Sequence, residues 1–167
     1  MEATMADPIV VGVDASADSL GALIAAADLA QQHAAPLIAI HVRHEPVLAA
    51  TAASLPGEAE SVVTTLDELE AITRTQVAGV MAGRHIGWRF DVTSGDPGAE
   101  LIKAAIEHRA GAIVVGGRNH GVVGGLVVGS VAQKLVRKSP VSVLVVRHGR
   151  AQRFSDADEY AAALLAG

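Results

Sequence analysis

Five short apolar runs punctuate the chain, and what lies between them restricts the fold more than any other feature. "PIVVGVD" (Pro8–Asp14), "PLIAIHV" (Pro36–Val42), "HIGWRFDVTSG" (85–95), "GAIVVGG" (111–117) and "PVSVLVV" (Pro140–Val146) read as strands bounded by turn-forming residues. Helical spacing fills the intervals. Leu20, Leu23, Ile24, Ala27 and Leu29/Ala30 recur at threes and fours behind Ser16, whose hydroxyl suits an N-cap. Val62, Leu66, Leu69 and Ile72 mark a longer helix ending near "MAGRHIG". "DPGAELIKAAIEHR" opens with Pro97 in its first turn, where a missing N–H costs nothing. "VAQKLVRK" supplies a fourth helix, beginning near Ser130. In the third strand, Arg89 and Asp91 alternate with Ile86, Trp88, Phe90 and Val92, the pattern of a sheet edge with one greasy face. Strands alternating with helices predict a mostly parallel sheet with right-handed crossovers.

A chain of 167 residues is long enough for one well-buried core. Its apolar half holds one Trp, one Tyr and two Phe, so the core is aliphatic, as in parallel α/β sheets covered on both faces. With no Cys there are no disulfides, thiolate metal sites or Cys nucleophile. A net charge of −5 and few aromatics argue against a general nucleic-acid partner. No apolar run approaches the roughly 18–20 residues that span a bilayer, so no membrane partner is expected. The acidic opening "MEATMADP" lacks the features of a secretion signal, and a cytoplasmic location is expected. One domain is expected over 8–147, with an N-terminal tail at 1–7 and a polar C-terminal extension at 148–167. Residues 44 to about 59, with two Pro and no periodicity, read as a loop.

The most unusual segment is "VVGGRNHGVVGGLVVGS", Val114 to Ser130, with six glycines between the fourth strand and the fourth helix. Each glycine costs about 0.5–1 kcal/mol in a regular element, so several together suggest tight turning or close approach to a ligand. Open parallel sheets bind ligands beyond the carboxyl ends of their strands, where strand order reverses. Asp14 ends the first strand and this segment follows the fourth, so the two face one crevice if those strands are neighbours. At the helix start near Ser130, free N–H groups, the positive dipole end and the Ser130 hydroxyl suit a phosphate, and Gly129 lets the backbone come close. The order of residues is neither a P-loop nor a dinucleotide fingerprint.

"IVVGVDASADSLGALIAAADLA", "IAIHV", "SGDPGAELIKAA", "AIVVGGRNHG" and "GSVAQKLVRKSPVSVLVV" together resemble the universal stress protein family over about residues 8–147. The resemblance implies a doubly wound, Rossmann-like α/β fold with helices on both faces of a five-stranded parallel sheet, ordered 3-2-1-4-5. It also implies a G-x2-G-x9-G-[ST] nucleotide motif. Here the match is G-x2-N-x9-G-S, from Gly116 through Asn119 to Gly129-Ser130, one glycine short. Asn is the residue after Gly most tolerant of a left-handed backbone, but its side chain takes up space. By the same resemblance Gly12 and Asp14 face ribose and base, Val42 lines the adenine pocket and Val115 and Gly116 meet the base. Gly129, Ser130 and Val131 meet the phosphates; Arg118 and His120 lie within the loop and could add charge near the phosphates, although no motif demands either. The implied ligand is ATP, with Mg²⁺ beside it, or alternatively cyclic AMP. The implied role is a stress-response sensor or switch without efficient catalysis, homodimeric through the fifth strand and read by an unknown protein partner. The rival is a nucleotide-free dimeric module whose site Asn119 has closed.

Plainer roles exist for the same residues. The glycine segment could be a packing connection, Asp14 a turn or capping residue, Ser130 only an N-cap, and Arg118 and His120 solvated. Lys134, Arg137 and Lys138 suit the negative end of the last helix. The seven His are scattered and no metal site is expected. No nucleophile–base pair stands out, so no catalytic residue is assigned.

Overall fold

A computed structural model describes residues 6–44, 59–117 and 129–147, with residues 59–63 as helical backbone alone. The expected loop at 44–59 falls outside this set apart from its two ends. So do Arg118, Asn119, His120 and the C-terminal extension.

Among the described residues, nine elements alternate in chain order: β1 (Ile9–Val13), α1 (Ala17–Gln32), β2 (Leu37–Arg43), α2 (Ala59–Met81), β3 (Trp88–Ser94), α3 (Pro97–Glu107), β4 (Ala112–Gly117), α4 (Ser130–Lys138) and β5 (Ser142–Arg147). The strands form one parallel sheet in the order β3-β2-β1-β4-β5. Order reverses at β1, which pairs with β2 on one side and β4 on the other.

Period-two alternation splits the aliphatic core between the two faces. Ile9, Val11, Val13, Leu37, Ala39 and Val114 point to one face and pack under α1 and the end of α2, with Leu23, Ala26, Ala27, Val77 and Met81. Val10, Ile38, Ile40, Ile113 and Val115 point to the other, beneath Leu101 and Ala105 of α3 and Ala132 and Leu135 of α4. The chain moves from β1 to β3 with its helices on the first face, then returns past β1 and continues to β5 with its helices on the second. The expected doubly wound α/β class is therefore what the chain adopts.

β3 is an edge strand, as its alternation implied. Its greasy face is only partly covered. Phe90 packs against the core and lies under the Arg74 guanidinium, 4.6 Å from the ring centroid. Trp88 and Val92, on the same side, stay 42% and 38% exposed. Helix α2 also meets β2 through charge: Arg43 Nε donates to Glu70 Oε2 at 3.0 Å and its Nη2 to Asp67 Oδ1 at 2.6 Å.

Candidate functional site

Helices α1, α3 and α4 each begin at the carboxyl end of the sheet, and each begins differently. At α1, Ser16 is the N-cap, its Oγ accepting from Ser19 N–H at 3.1 Å. Asp14 supports that cap, its Oδ1 accepting from Ser16 N–H at 3.1 Å and from the Ser16 hydroxyl at 2.5 Å. The buried Ser19 hydroxyl donates to Ser16 O and accepts from Asp14 N–H, both at 3.1 Å. This knot holds Ala15 at φ 65°, a left-handed conformation that costs a non-glycine residue about 1 kcal/mol or more.

At α3 the N-cap is Asp96, whose Oδ2 accepts from Ala99 N–H at 2.8 Å and from Lys134 Nζ at 2.7 Å. Pro97 follows in the first turn, where it was expected. The Lys134 ammonium, then the Ala99 N–H, hold the Asp96 carboxyl below its ordinary value of 3.8.

At α4 the N-cap is Gly129, with no side-chain cap. The first bond inside the helix runs from Gln133 N–H to Gly129 O at 2.9 Å. The N–H groups of Ser130, Val131 and Ala132 precede it and lack an intrahelical acceptor. Ser130 is thus the first helical residue rather than the cap.

A cavity of about 520 Å³ lies at this end of the sheet, beside the switch point between β1 and β4. Gly12 and Asp14 of the β1 end, Val42 of β2, Val115 and Gly116 of β4, and Gly129, Ser130 and Val131 at the α4 start all line it. The structure therefore gathers every candidate residue it describes around one space. Ile40, Val42, Leu101 and Val115 give one part of the wall apolar character, while Asp14, Asp18, Asp96 and Lys134 give another part charge.

Two glycines assigned to the ligand on the family pattern have packing roles as well. A Cβ on Gly116 would sit 2.7 Å from the backbone carbon and oxygen of Asp18, which cannot yield cheaply. The absent side chain lets the first turn of α1 lie directly on β4. A Cβ on Gly12 would meet Leu101 Cδ1 at 2.9 Å.

Lys134 differs from its expected place. Helix α4 runs nine residues, so Arg137 and Lys138 are in its last turn but Lys134 is not. Its stem passes over Gly98, where a Cβ would come within 2.6 Å of Lys134 Cδ, and its ammonium reaches Asp96 at the cavity wall. Sequence reasoning missed Asp96, Gly98 and Lys134 as lining residues. A signal existed for the lysine: it lies four residues after Ser130, hence on the same helix face. Among the described residues no cluster of three or more potential metal ligands occurs, and no helix is long and apolar enough to cross a membrane.

A twice-wound parallel sheet with a cavity at its switch point defines a Rossmann-like α/β domain. Residues 5–147 match the model of the Universal stress protein family, and the chain belongs to that family. It is 32% identical over 139 residues to a Thermus aquaticus protein described as a universal stress protein in the QAH/OAS sulfhydrylase 3' region, covering 83% of this chain and 97% of that one. It is 31% identical over 163 residues to the stress response protein NhaX of Bacillus subtilis, covering 85% and 98%. Among solved structures, a universal stress protein in complex with cAMP superposes with a TM-score of 0.61 at 26% identity, covering 86% of this chain and 98% of that one.

Proposed function

We propose that this chain binds an adenine nucleotide in the cavity at the switch point and acts as a stress-response sensor or switch, not as an efficient enzyme. The observation that carries the reading is the start of α4, which lines the cavity without a side-chain cap. Its N–H groups without an intrahelical acceptor and its positive dipole end are a physical reason for a phosphate to settle there. Val42, Ile40 and Val115 offer an apolar wall to the base, and Asp14, at the end of β1, offers a carboxylate to the ribose hydroxyls. ATP with Mg²⁺ is the first ligand to try. Cyclic AMP is the second reading, favoured by the cAMP complex of a relative with the same fold. We further propose a cytoplasmic homodimer joined through β5, an edge strand with Leu144 42% exposed. Sedimentation that gives monomer alone at micromolar concentration would refute the dimer.

Calorimetric titration of nucleotide-stripped protein with ATP plus Mg²⁺, then with cyclic AMP, tests the reading. Micromolar binding that is lost in Gly129→Val and weakened in Ser130→Ala is expected. Heat-silent titrations at two temperatures, with binding created by Asn119→Gly, would replace the sensor with the nucleotide-free module.

A further inference from the structure

We propose that Asp96 is a specificity-determining residue of this cavity: by holding the Lys134 ammonium, it favours a phosphate ester of single negative charge over a polyphosphate. The inference rests on the nucleotide reading above and assigns that site a charge preference.

Lys134 lies one helical turn beyond Ser130 on the same face of α4, about 5–6 Å along the helix. An anion seated at the start of α4 is therefore within reach of a lysine side chain. Lys134 is nevertheless engaged elsewhere. Its stem is laid across Gly98, whose missing side chain makes the path possible, and its Nζ is 2.7 Å from Asp96 Oδ2. Asp96 is fixed in turn, because the same oxygen caps α3 through Ala99 N–H. The pair thus spans the starts of α3 and α4 with both members on the cavity wall.

The consequence is electrostatic. Among the described lining residues, the carboxylates of Asp14, Asp18 and Asp96 face the single ammonium of Lys134 and the imidazole of His44. Asp96 remains ionised well into the acid range, because Lys134 and the Ala99 N–H both favour its charged form. The repulsion an anion meets from an extra carboxylate grows in proportion to its own charge. A ligand with a single phosphate charge, placed on the α4 N–H groups, meets little of it. A triphosphate extending toward Asp96 meets several times as much, and the nearest lysine is already neutralised.

Asp96→Asn tests this cleanly, since Asn caps helices as well as Asp does while removing the charge. The probes are ATP and cyclic AMP, titrated in EDTA at low salt so that no metal ion masks the triphosphate. Affinity for ATP is expected to rise about tenfold, and for cyclic AMP by less than about threefold. The gain for ATP should shrink when Lys134→Met is added, because part of it acts through the released ammonium while relief of the Asp96 repulsion remains. Lys134→Met alone, which keeps the apolar stem over Gly98, reads the pair from the other side. It should weaken ATP more than cyclic AMP, and it serves if Asp96→Asn does not fold. Equal changes for the two nucleotides, or a gain that is undiminished without Lys134, would overturn the inference and leave nucleotide binding standing. If neither nucleotide binds the native protein or any variant, the underlying reading falls and the inference falls with it.

Discussion

Helices α3 and α4 start on the same cavity, yet their N-termini are in opposite states. The start of α3 is closed by its own Asp96 carboxylate, which accepts from a backbone N–H and carries a lysine as well. The start of α4 falls on a glycine and has no side-chain cap. The macrodipole is the same in kind at both, so dipole alone does not make an anion site. What distinguishes them is whether the chain has already supplied the anion. Helix α1 belongs with α3: Ser16, Asp14 and Ser19 complete its first turn internally.

The largest effect is expected where this arrangement is held up from below. Gly116→Ala places a Cβ against the Asp18 backbone, forcing α1 away from β4. It should destabilise the fold by about 1–3 kcal/mol, read as a lower urea midpoint at unchanged slope. Next, Gly129→Asp makes the α4 start resemble that of α3. Its φ of −58° suits any residue, so helix stability should hold or rise by a few tenths of a kcal/mol. Nucleotide affinity should fall by at least about tenfold in calorimetry, roughly 1.4 kcal/mol, because a fixed carboxylate now occupies the anion's place. If affinity is unchanged, the contrast between the two helix starts does not govern binding.

Ser16→Ala removes the cap of α1 and should cost about 1 kcal/mol in thermal or urea unfolding. The smallest effect is on acid stability. The Asp96 carboxyl lies below 3.8, held by Lys134, and that of Glu70 below 4.5, held first by Arg43 and also by Arg74. The folded state therefore binds protons less readily than the unfolded chain. The contributions are fully present above these ordinary values and are lost as pH falls through the lower folded ones. Urea midpoints measured from pH 5 downward should decline, and Asp96→Asn should flatten the decline. Asp96 is half exposed, so solvent screening keeps its share small.

Strand content was legible in the sequence because side chains on a sheet alternate with period two and those on a helix recur at three and four. Val10 against Val11, or Ile38 against Leu37, found opposite faces for that reason. The cap at Ser16 and the proline at α3 could also be read locally, since a helix start is satisfied within three residues. Gly116 and Gly129 stood out, but the reason for Gly116 did not. The atoms that forbid a side chain there belong to Asp18, nearly a hundred residues earlier in the chain. Phe90 and Trp88 share one strand face and one pattern, yet Phe90 packs against the core under Arg74 of α2 while Trp88 stays largely exposed.

The alternation of elements, the aliphatic two-faced core and the residues that end β1 and begin α4 follow from the order of residues alone. Those are properties of neighbours along the chain, set by backbone periodicity and by the few donors at each helix end. The family pattern supplied the order of the strands, and only the tertiary structure brought Asp96 to Lys134 across 38 residues. A charge pair of that kind depends on where two helices start in space, and no local spacing encodes it. Its placement over Gly98, beside the uncapped start of α4, decides how much charge the cavity presents to a ligand.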